Sequence, residues 1–453
     1  MTAALAVSSA QDGRTAQRLK ILVLAESCNP EWFSAPLIGW SYYEALSQVA
    51  DVHLVTRVRN CPALERHGLR QGRDYTAIDT EFLFKPMERL VRLISGPNKG
   101  WAILMGLSVP SYLLFEFIAW RRFGPCIRQF DLVHRVTPVS PTVPSPIARW
   151  CHKQGVPFIL GPLNGGLPWP KEFPDLHKQE GEWFSYFRSL FRYVPGYRST
   201  REAASAIIAG GESAYREIPE RWKNKTIYIP ENAIDPQRFP ASPKRTAQGY
   251  ANRPIRAVFL GRLVPYKACD ILLEAAADLL REGRMTLTII GSGPEESRLR
   301  ALVTDLGVGQ AVHFTGELPH PRVAEYLVNA DILTFPSVHE FGGAVVLEAM
   351  VMGVVPVISD YGGPAELASP QCAFLVPLKE RAAYIAAYKA TLHAIAADPT
   401  SLLSLSDHGR QRAERLFTWP RKVEQIVAVY EWVMGKKAKR PDWGMPFRDD
   451  PHS

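Results

Sequence analysis

Glu340 and Glu348 frame the stretch Pro336-Ser337-Val338-His339-Glu340-Phe341-Gly342-Gly343-Ala344-Val345-Val346-Leu347-Glu348-Ala349-Met350. The run Ala330 to Phe335 predicts a strand leading into it, the glycine pair breaks the chain, and Ala344 to Met352 reads as a helix. One carboxylate therefore sits on a loop at the carboxyl end of a strand. The other sits one turn inside the following helix, on the face of Ala344. Open α/β sheets take their ligands at that edge. A helix start adds free N–H groups and the positive end of a dipole, which suit phosphate. The plain alternatives are a cap preceding the helix for Glu340 and an ion pair on the helix face for Glu348.

A second cluster follows the apolar run Arg256 to Leu260. Gly261 lets the backbone turn, Arg262 offers a planar fork of donors, and Lys267 adds a mobile point charge. Two cations so spaced at a strand end suit a pyrophosphate; a solvated basic loop is the plain alternative. Gly291-Ser292-Gly293-Pro294 ends a third strand, and backbone N–H groups there can approach a nucleotide, although a lone G-x-G is also just a tight turn. Ser359 to Glu366, with Gly362 and Gly363, closes a fourth.

The elements that must position these groups alternate along the chain. In the first half, strands are expected at Leu19 to Ala25, Val52 to Thr56, Leu132 to His134, Pro157 to Leu160, Ala206 to Ile208 and Ile227 to Ile229. In the second, they are expected at Arg256 to Leu260, Thr286 to Ile290, Ala311 to Phe314, Asp331 to Phe335, Val355 to Ile358 and Ala373 to Val376. Helical patterns fill the gaps. This predicts an α/β fold with two mostly parallel sheets, two Rossmann-like domains facing a central crevice. Pro240 to Pro254 lacks apolar periodicity and is the best linker candidate.

A chain of 453 residues is long enough for more than one core. Its net charge of +8 fits an anionic partner, but no long Lys/Arg block points to nucleic acid. The six cysteines form no C-x-x-C pair, so neither a zinc site nor a disulfide framework is expected, and reduced thiols in a cytoplasmic setting are. Met1 to Gln17 lacks the basic start and apolar core of a signal peptide and reads as a disordered tail.

Taken in series, these motifs make the second half resemble the donor-nucleotide domain of family-4 retaining glycosyltransferases of the GT-B fold. The series runs from Gly261-Arg262-Leu263 and Lys267 through Gly291-Ser292-Gly293-Pro294, Phe314-Thr315-Gly316 and the Glu340…Glu348 pair to Gly353 and Gly363. Ile229 to Asp235 resembles the segment where that family crosses between domains, and Phe417-Thr418-Trp419 the helix that returns to the first. The resemblance implies an N-terminal acceptor domain over 18–236, a donor domain over 237–416, a returning helix over 417–436 and a polar tail over 437–453.

It also implies roles. Arg262 and Lys267 would hold the donor diphosphate and stabilise the leaving group. Glu340 would contact hydroxyls of the donor sugar, and Glu348 the ribose. Gly261, Gly291, Gly293, Gly342 and the N–H groups of Gly343, Ala344 and Val345 would line the nucleotide sugar. No cofactor and no metal is expected, because no D-x-D pair is present and the basic loop can neutralise the diphosphate. The expected reaction moves a hexose from a nucleotide diphosphate sugar to a glycan or lipid-linked acceptor. The alternatives are a GT-B epimerase or phosphorylase, or a non-catalytic nucleotide-sugar-binding protein.

Several positions depart from that family. Glu340 is followed by Phe341 rather than glycine, Ala268 follows Lys267 where glycine is common, and Val136 stands where many members carry a histidine. On the acceptor side His134, Arg135 and Thr137 remain candidates, with Asn164 and Gly165 of the loop Gly161 to Gly166. The apolar stretch Trp101 to Trp120 is expected to be a buried helix pair rather than a membrane span. Trp183, Phe187, Leu190, Phe191 and Val194 make one helical stripe beside Arg188 and Arg192. Packing on the first domain is its ordinary use; peripheral contact with an anionic membrane is the alternative.

Overall fold

The computed structural model describes residues 18–32, 34–86, 89, 109–179, 193–235, 239, 245–250, 253–445 and 447. Residues 101–108 of the apolar stretch and most of the Trp183 to Val194 stripe lie outside them. Two parallel sheets carry the chain. The first contains β1 (Lys20–Ala25), β2 (Asp51–Arg57), β3 (Tyr75–Ile78), β4 (Leu132–Thr137), β5 (Phe158–Leu163), β6 (Ala206–Ala209) and β7 (Thr226–Tyr228), in the order β3-β2-β1-β4-β5-β6-β7. The second contains β8 (Ile255–Leu260), β9 (Met285–Ile290), β10 (Val312–Gly316), β11 (Ile332–Phe335), β12 (Val355–Ser359) and β13 (Phe374–Val376), in the order β10-β9-β8-β11-β12-β13.

The strands form where the sequence is apolar without interruption, because helices cover both faces of each sheet. In β1, β4 and β5 nearly every side chain is buried. Val23 pairs with Leu54 on one side and His134 on the other, so β1 and β4 are the neighbours at which the order reverses. In the second sheet the reversal falls between β8 and β11, with Ile332 opposite Ala257. These two switch points are where such sheets open a crevice at their carboxyl edge. The loops after β8 and β11 are those of Lys267 and Glu340.

The structure adds and corrects. β3 was not expected: its four residues follow a polar turn and lie at the sheet edge, giving too short a signal. β5 runs through Gly161 and Pro162, expected in the following loop, with a register shift between Leu160 and Leu163. The helix Val109–Phe123 covers the second half of the Trp101 to Trp120 stretch. Among the described residues, no helix is long and apolar enough to cross a membrane.

Phe417 O accepts from Ile234 N–H at 2.7 Å, Trp419 N–H donates back to Ile234 O at 3.1 Å, and the helix Trp419–Val433 packs on the first domain. The stretch after it is not a loose polar tail. Arg440 donates to Lys223 O and Thr226 O at 2.9 and 2.8 Å, and Trp443 and Phe447 are buried, with Phe447 against the rings of Tyr228 and Phe417.

Candidate functional site

The loop after β8 is held open by its neighbours. Gly261 N–H donates to Ile290 O, Leu263 N–H to Ser292 O, and Gly291 N–H to Gly316 O, all at 2.9 to 3.0 Å. The loops after β8, β9 and β10 thus form one braced edge. Glycine is required there: a Cβ on Gly291, which has φ +135°, would lie 2.0 Å from Gly261 O, and one on Gly293 2.3 Å from Leu263 O. Ala268 ends the basic loop at φ +53° and ψ 37°, the left-handed region where an L side chain is strained. Alanine therefore stands where glycine would be relaxed.

The basic loop and the Glu340 loop are joined. Val338 N–H donates to Tyr266 O at 2.9 Å. Lys267 Nζ donates to Glu340 Oε2 and lies 4.6 Å from the centre of the Phe335 ring. The Arg262 side chain is exposed, with no hydrogen bond or ion pair among the described residues. The helix Ala344–Val351 begins at Gly343, which has φ +76°, and Glu348 is buried one turn inside it. The structure thus brings Lys267 and Glu340 into direct contact and leaves Arg262 exposed on the same loop as Lys267. Phe341, in place of a glycine, is 39 % exposed with its edge toward His339 at 5.0 Å.

The first domain closes over this edge. Tyr361 Oη donates to Pro168 O at 2.6 Å, and His339 Nε2 lies 3.1 Å from Leu167 O. The Trp169 ring is sandwiched between His339, at 4.1 Å and 7°, and His177, at 5.2 Å and 18°. Glu366 Oε2 accepts from Glu212 N–H and Tyr228 Oη, each at 2.8 Å, across the same junction. Burial pushes the Glu366 carboxyl up, and these two donors counter it.

Residues 243–394 match the family model for Glycosyl transferases group 1. The chain is 30 % identical to a D-inositol 3-phosphate glycosyltransferase of Streptomyces bingchenggensis, over 51 % of its own length and 54 % of the relative's. It is 26 % identical to the 2-deoxystreptamine glucosyltransferase of Streptomyces kanamyceticus, over 55 % and 64 %. The first of these alignments thus spans about half of the relative, the second under two thirds. The fold matches HepE from Anabaena, solved with UDP, at a TM-score of 0.61 and 17 % identity, covering 90 % of this chain and 98 % of that one. Sucrose-phosphate synthase from Thermosynechococcus elongatus gives 0.59 at 19 %, covering 93 % and 100 %.

The second domain is thus similar to group 1 glycosyltransferases, and the two-domain architecture is the GT-B fold.

The residues expected on the acceptor side divide. His134, Arg135 and Thr137, the candidates on β4, are fully buried and bonded internally. His134 lies 2.6 Å from Tyr430 Oη and 2.7 Å from Gly161 O, joining the returning helix to β5. Burial pushes its pKa down to about 4, with Arg135 adding to the effect against the Gly161 bond. Arg135 donates to the carbonyls of Val143, at 2.9 Å, and Pro138. Thr137 Oγ1 accepts from Ser27 N–H at 3.1 Å and donates to Ser27 O at 3.0 Å. A strand-end position at a switch point suggested a crevice role, but side chains alternate across the sheet, and these point into layers filled by helices.

Asn164 lies against the Glu340 loop of the second domain, with Gly165 beside it. Asn164 Nδ2 lies 3.5 Å from Phe341 O, and Gly165 N–H donates to Asn164 Oδ1 at 2.7 Å. The sequence reading missed Trp169, His339, Glu366 and Glu231 as parts of the junction. Glu231 is 6 % exposed, and its carboxyl is pushed up to about 7. Burial is the main cause, with Glu366 and Glu340 adding to it and the Asn164 bond and Lys422 opposing. No periodicity marks such residues, because their partners come from a different domain. Among the described residues, no group of three or more His, Cys, Asp or Glu could hold a metal ion.

Proposed function

We propose that this chain is a retaining glycosyltransferase that moves a hexose from a nucleotide diphosphate sugar to a glycan or lipid-linked acceptor. The observation that carries the reading is the contact of Lys267 with Glu340 at the β8/β11 switch point, on the same loop as the exposed Arg262. Lys267 there is neutralised by Glu340 alone, and the Arg262 side chain has no partner among the described residues. A diphosphate would take both cations by charge-assisted hydrogen bonds and leave Glu340 to the hydroxyls of the sugar. Stabilising negative charge on the departing diphosphate is the main electrostatic demand of such a transfer. The buried Glu348 suits the ribose, and the helix start at Gly343 to Val345 suits phosphate or sugar oxygens.

Retention is supported by the family resemblance of the Glu340…Glu348 series. The proposed path runs through an oxocarbenium-like transition state rather than a covalent intermediate. The cation pair can neutralise the diphosphate without a metal. Membrane contact is the finer part of the reading. It is supported by the net charge of +8 and by the helix Val109–Phe123, which exposes Phe117 near Arg121 and Arg122. Flotation with anionic liposomes tests it, and a protein left wholly in the soluble fraction removes it.

The test of the reaction is product analysis with a panel of nucleotide sugars, with and without acceptors. Acceptors include lipid-linked glycans, inositol 3-phosphate and 2-deoxystreptamine, the last two taken from the names of the relatives. Glycoside formed only when acceptor is present, with the donor's anomeric configuration kept, supports the proposal. Conversion of donor alone to an isomeric nucleotide sugar points to an epimerase. Tight donor binding without turnover on any acceptor points to a binding protein.

A further inference from the structure

Glu231 belongs neither to the donor loops nor to the strand-edge set of the first domain, and three parts of the chain meet at it. It follows β7, where the chain leaves the first sheet. The Asn164 amide of the first domain lies beside its carboxyl and favours the charged form. Asn164 Oδ1 is already taken by Gly165 N–H, so Nδ2 is the end available, and that nitrogen is also 3.5 Å from the carbonyl of Phe341. Asn164 thus stands between Glu231 and the residue next to Glu340.

The donor loop itself presses on Glu231. A Cβ on Gly342 would lie 3.0 Å from Glu231 Oε1 and 2.6 Å from Asn232 Nδ2, so the backbone of the Glu340 loop is seated directly on this pair. From the third side, the returning helix sends Lys422 Nζ to the carbonyl of Pro230, fixing the backbone just before Glu231. Glu231 Oε2 is buried without a hydrogen bond among the described residues. A carboxyl is costly to bury at such a place, and Glu340 and Glu366 face it from the second domain with the same charge. An ordinary packing position would be filled by an apolar side chain.

We propose that Glu231 is a positioning residue for the transfer: through Asn164 and the backbone at Gly342 it seats the loop that carries Glu340 against the first domain. This rests on the donor-site reading above. Glu340 must sit at a fixed place relative to both the donor sugar and the incoming acceptor, and small misplacements of reacting groups are expensive in rate. The grips on the donor's diphosphate and ribose, Arg262, Lys267 and Glu348, lie wholly in the second domain and do not depend on Glu231; only the sugar contact of Glu340 does. Loss of the carboxyl therefore acts on turnover rather than on donor affinity.

The test is steady-state transfer by the full chain and its variants, with folding checked by thermal melting. Glu231→Ala is expected to lower kcat about tenfold while the donor KM stays within about twofold. Glu231→Gln keeps an acceptor oxygen and the shape, and is expected to recover most of that loss. Asn164→Ala is expected to match Glu231→Ala, and the double variant to be no worse than either, because both remove the same link. If Glu231→Ala fails to fold, Glu231→Gln and Asn164→Ala decide the question, since near-normal kcat in Asn164→Ala overturns the proposal. So does a wild-type kcat in Glu231→Ala, a Glu231→Gln as poor as the alanine, or fully additive losses. Lys267→Ala separates the two readings: an inactive Lys267→Ala beside an unaffected Glu231→Ala removes only this inference, whereas full activity in both removes the donor site with it.

Discussion

The two carboxyl sheet edges that meet in this molecule hold similar kinds of residues and use them differently. At the edge of the second sheet, Arg262 is exposed and Lys267 pairs with Glu340 beside the Phe335 ring, while braced glycine turns keep the backbone low beneath them. At the edge of the first, Arg135, His134 and Thr137 are fully buried, and their hydrogen bonds go to carbonyls, to Ser27 and to Tyr430. A cation at a strand end is thus left exposed or paired at the surface in one sheet and made an internal brace in the other. What separates them is whether the side chain's hydrogen-bonding capacity is already used inside the protein.

That contrast can be broken or sharpened by substitution. The largest effect is expected for Lys267→Ala. If Lys267 holds the departing diphosphate as proposed, removing its charge should lower kcat by on the order of a hundredfold or more, with thermal stability little changed. Near-normal turnover in that variant, measured under saturating donor, would make the second edge as structural as the first.

A smaller effect, on stability rather than on turnover, is expected at His134. Its pKa is pushed down from the ordinary 6.5 to about 4 by burial, so the folded protein holds it neutral while the unfolded chain takes up a proton. Its contribution is complete above pH 6.5 and is lost as pH falls from there toward 4, on the order of 3 kcal/mol over that window. Denaturant titrations at about pH 7 and about pH 4.5 should show a smaller drop in His134→Asn than in the wild type, with donor KM unaltered. An unchanged pH dependence would mean that His134 is not the buried neutral brace described.

The smallest effect is expected at Ala268. Glycine at its left-handed position relieves backbone strain, offset in part by the greater freedom of the unfolded chain, so Ala268→Gly should gain up to about 1 kcal/mol in thermal or denaturant unfolding. A loss of stability would show that the methyl group's burial outweighs its strain.

The turns and charged groups at the edge of the second sheet were legible in the sequence because their signals are local. Gly261, Gly291 and Gly343 punctuate apolar runs at strand ends, and Lys267, Glu340 and Glu348 fall within a few residues of those breaks. The strands of both sheets were legible for the same reason, except β3, which is short and lies at an edge. The first domain's edge was not. Whether Arg135 faces a ligand or a carbonyl depends on the helix Val109–Phe123 and the loop around Val143, whose placement against β4 no local pattern encodes. Trp169 between two histidines, Glu366 beneath Tyr228 and Glu231 beside Asn164 bring together residues far apart in the chain, and no spacing along one segment encodes them. Tyr228 and Phe447 likewise explain why the C-terminal stretch, polar by composition, packs on the first domain.

The most direct test of the central claim is calorimetric titration of nucleoside diphosphates into the wild type, Lys267→Ala, Arg262→Ala and His134→Asn. The wild type and His134→Asn should bind one nucleoside diphosphate with the same affinity, while Arg262→Ala and Lys267→Ala each lose about tenfold or more. Equal affinity in all four proteins would contradict the assignment of the diphosphate to the edge of the second sheet.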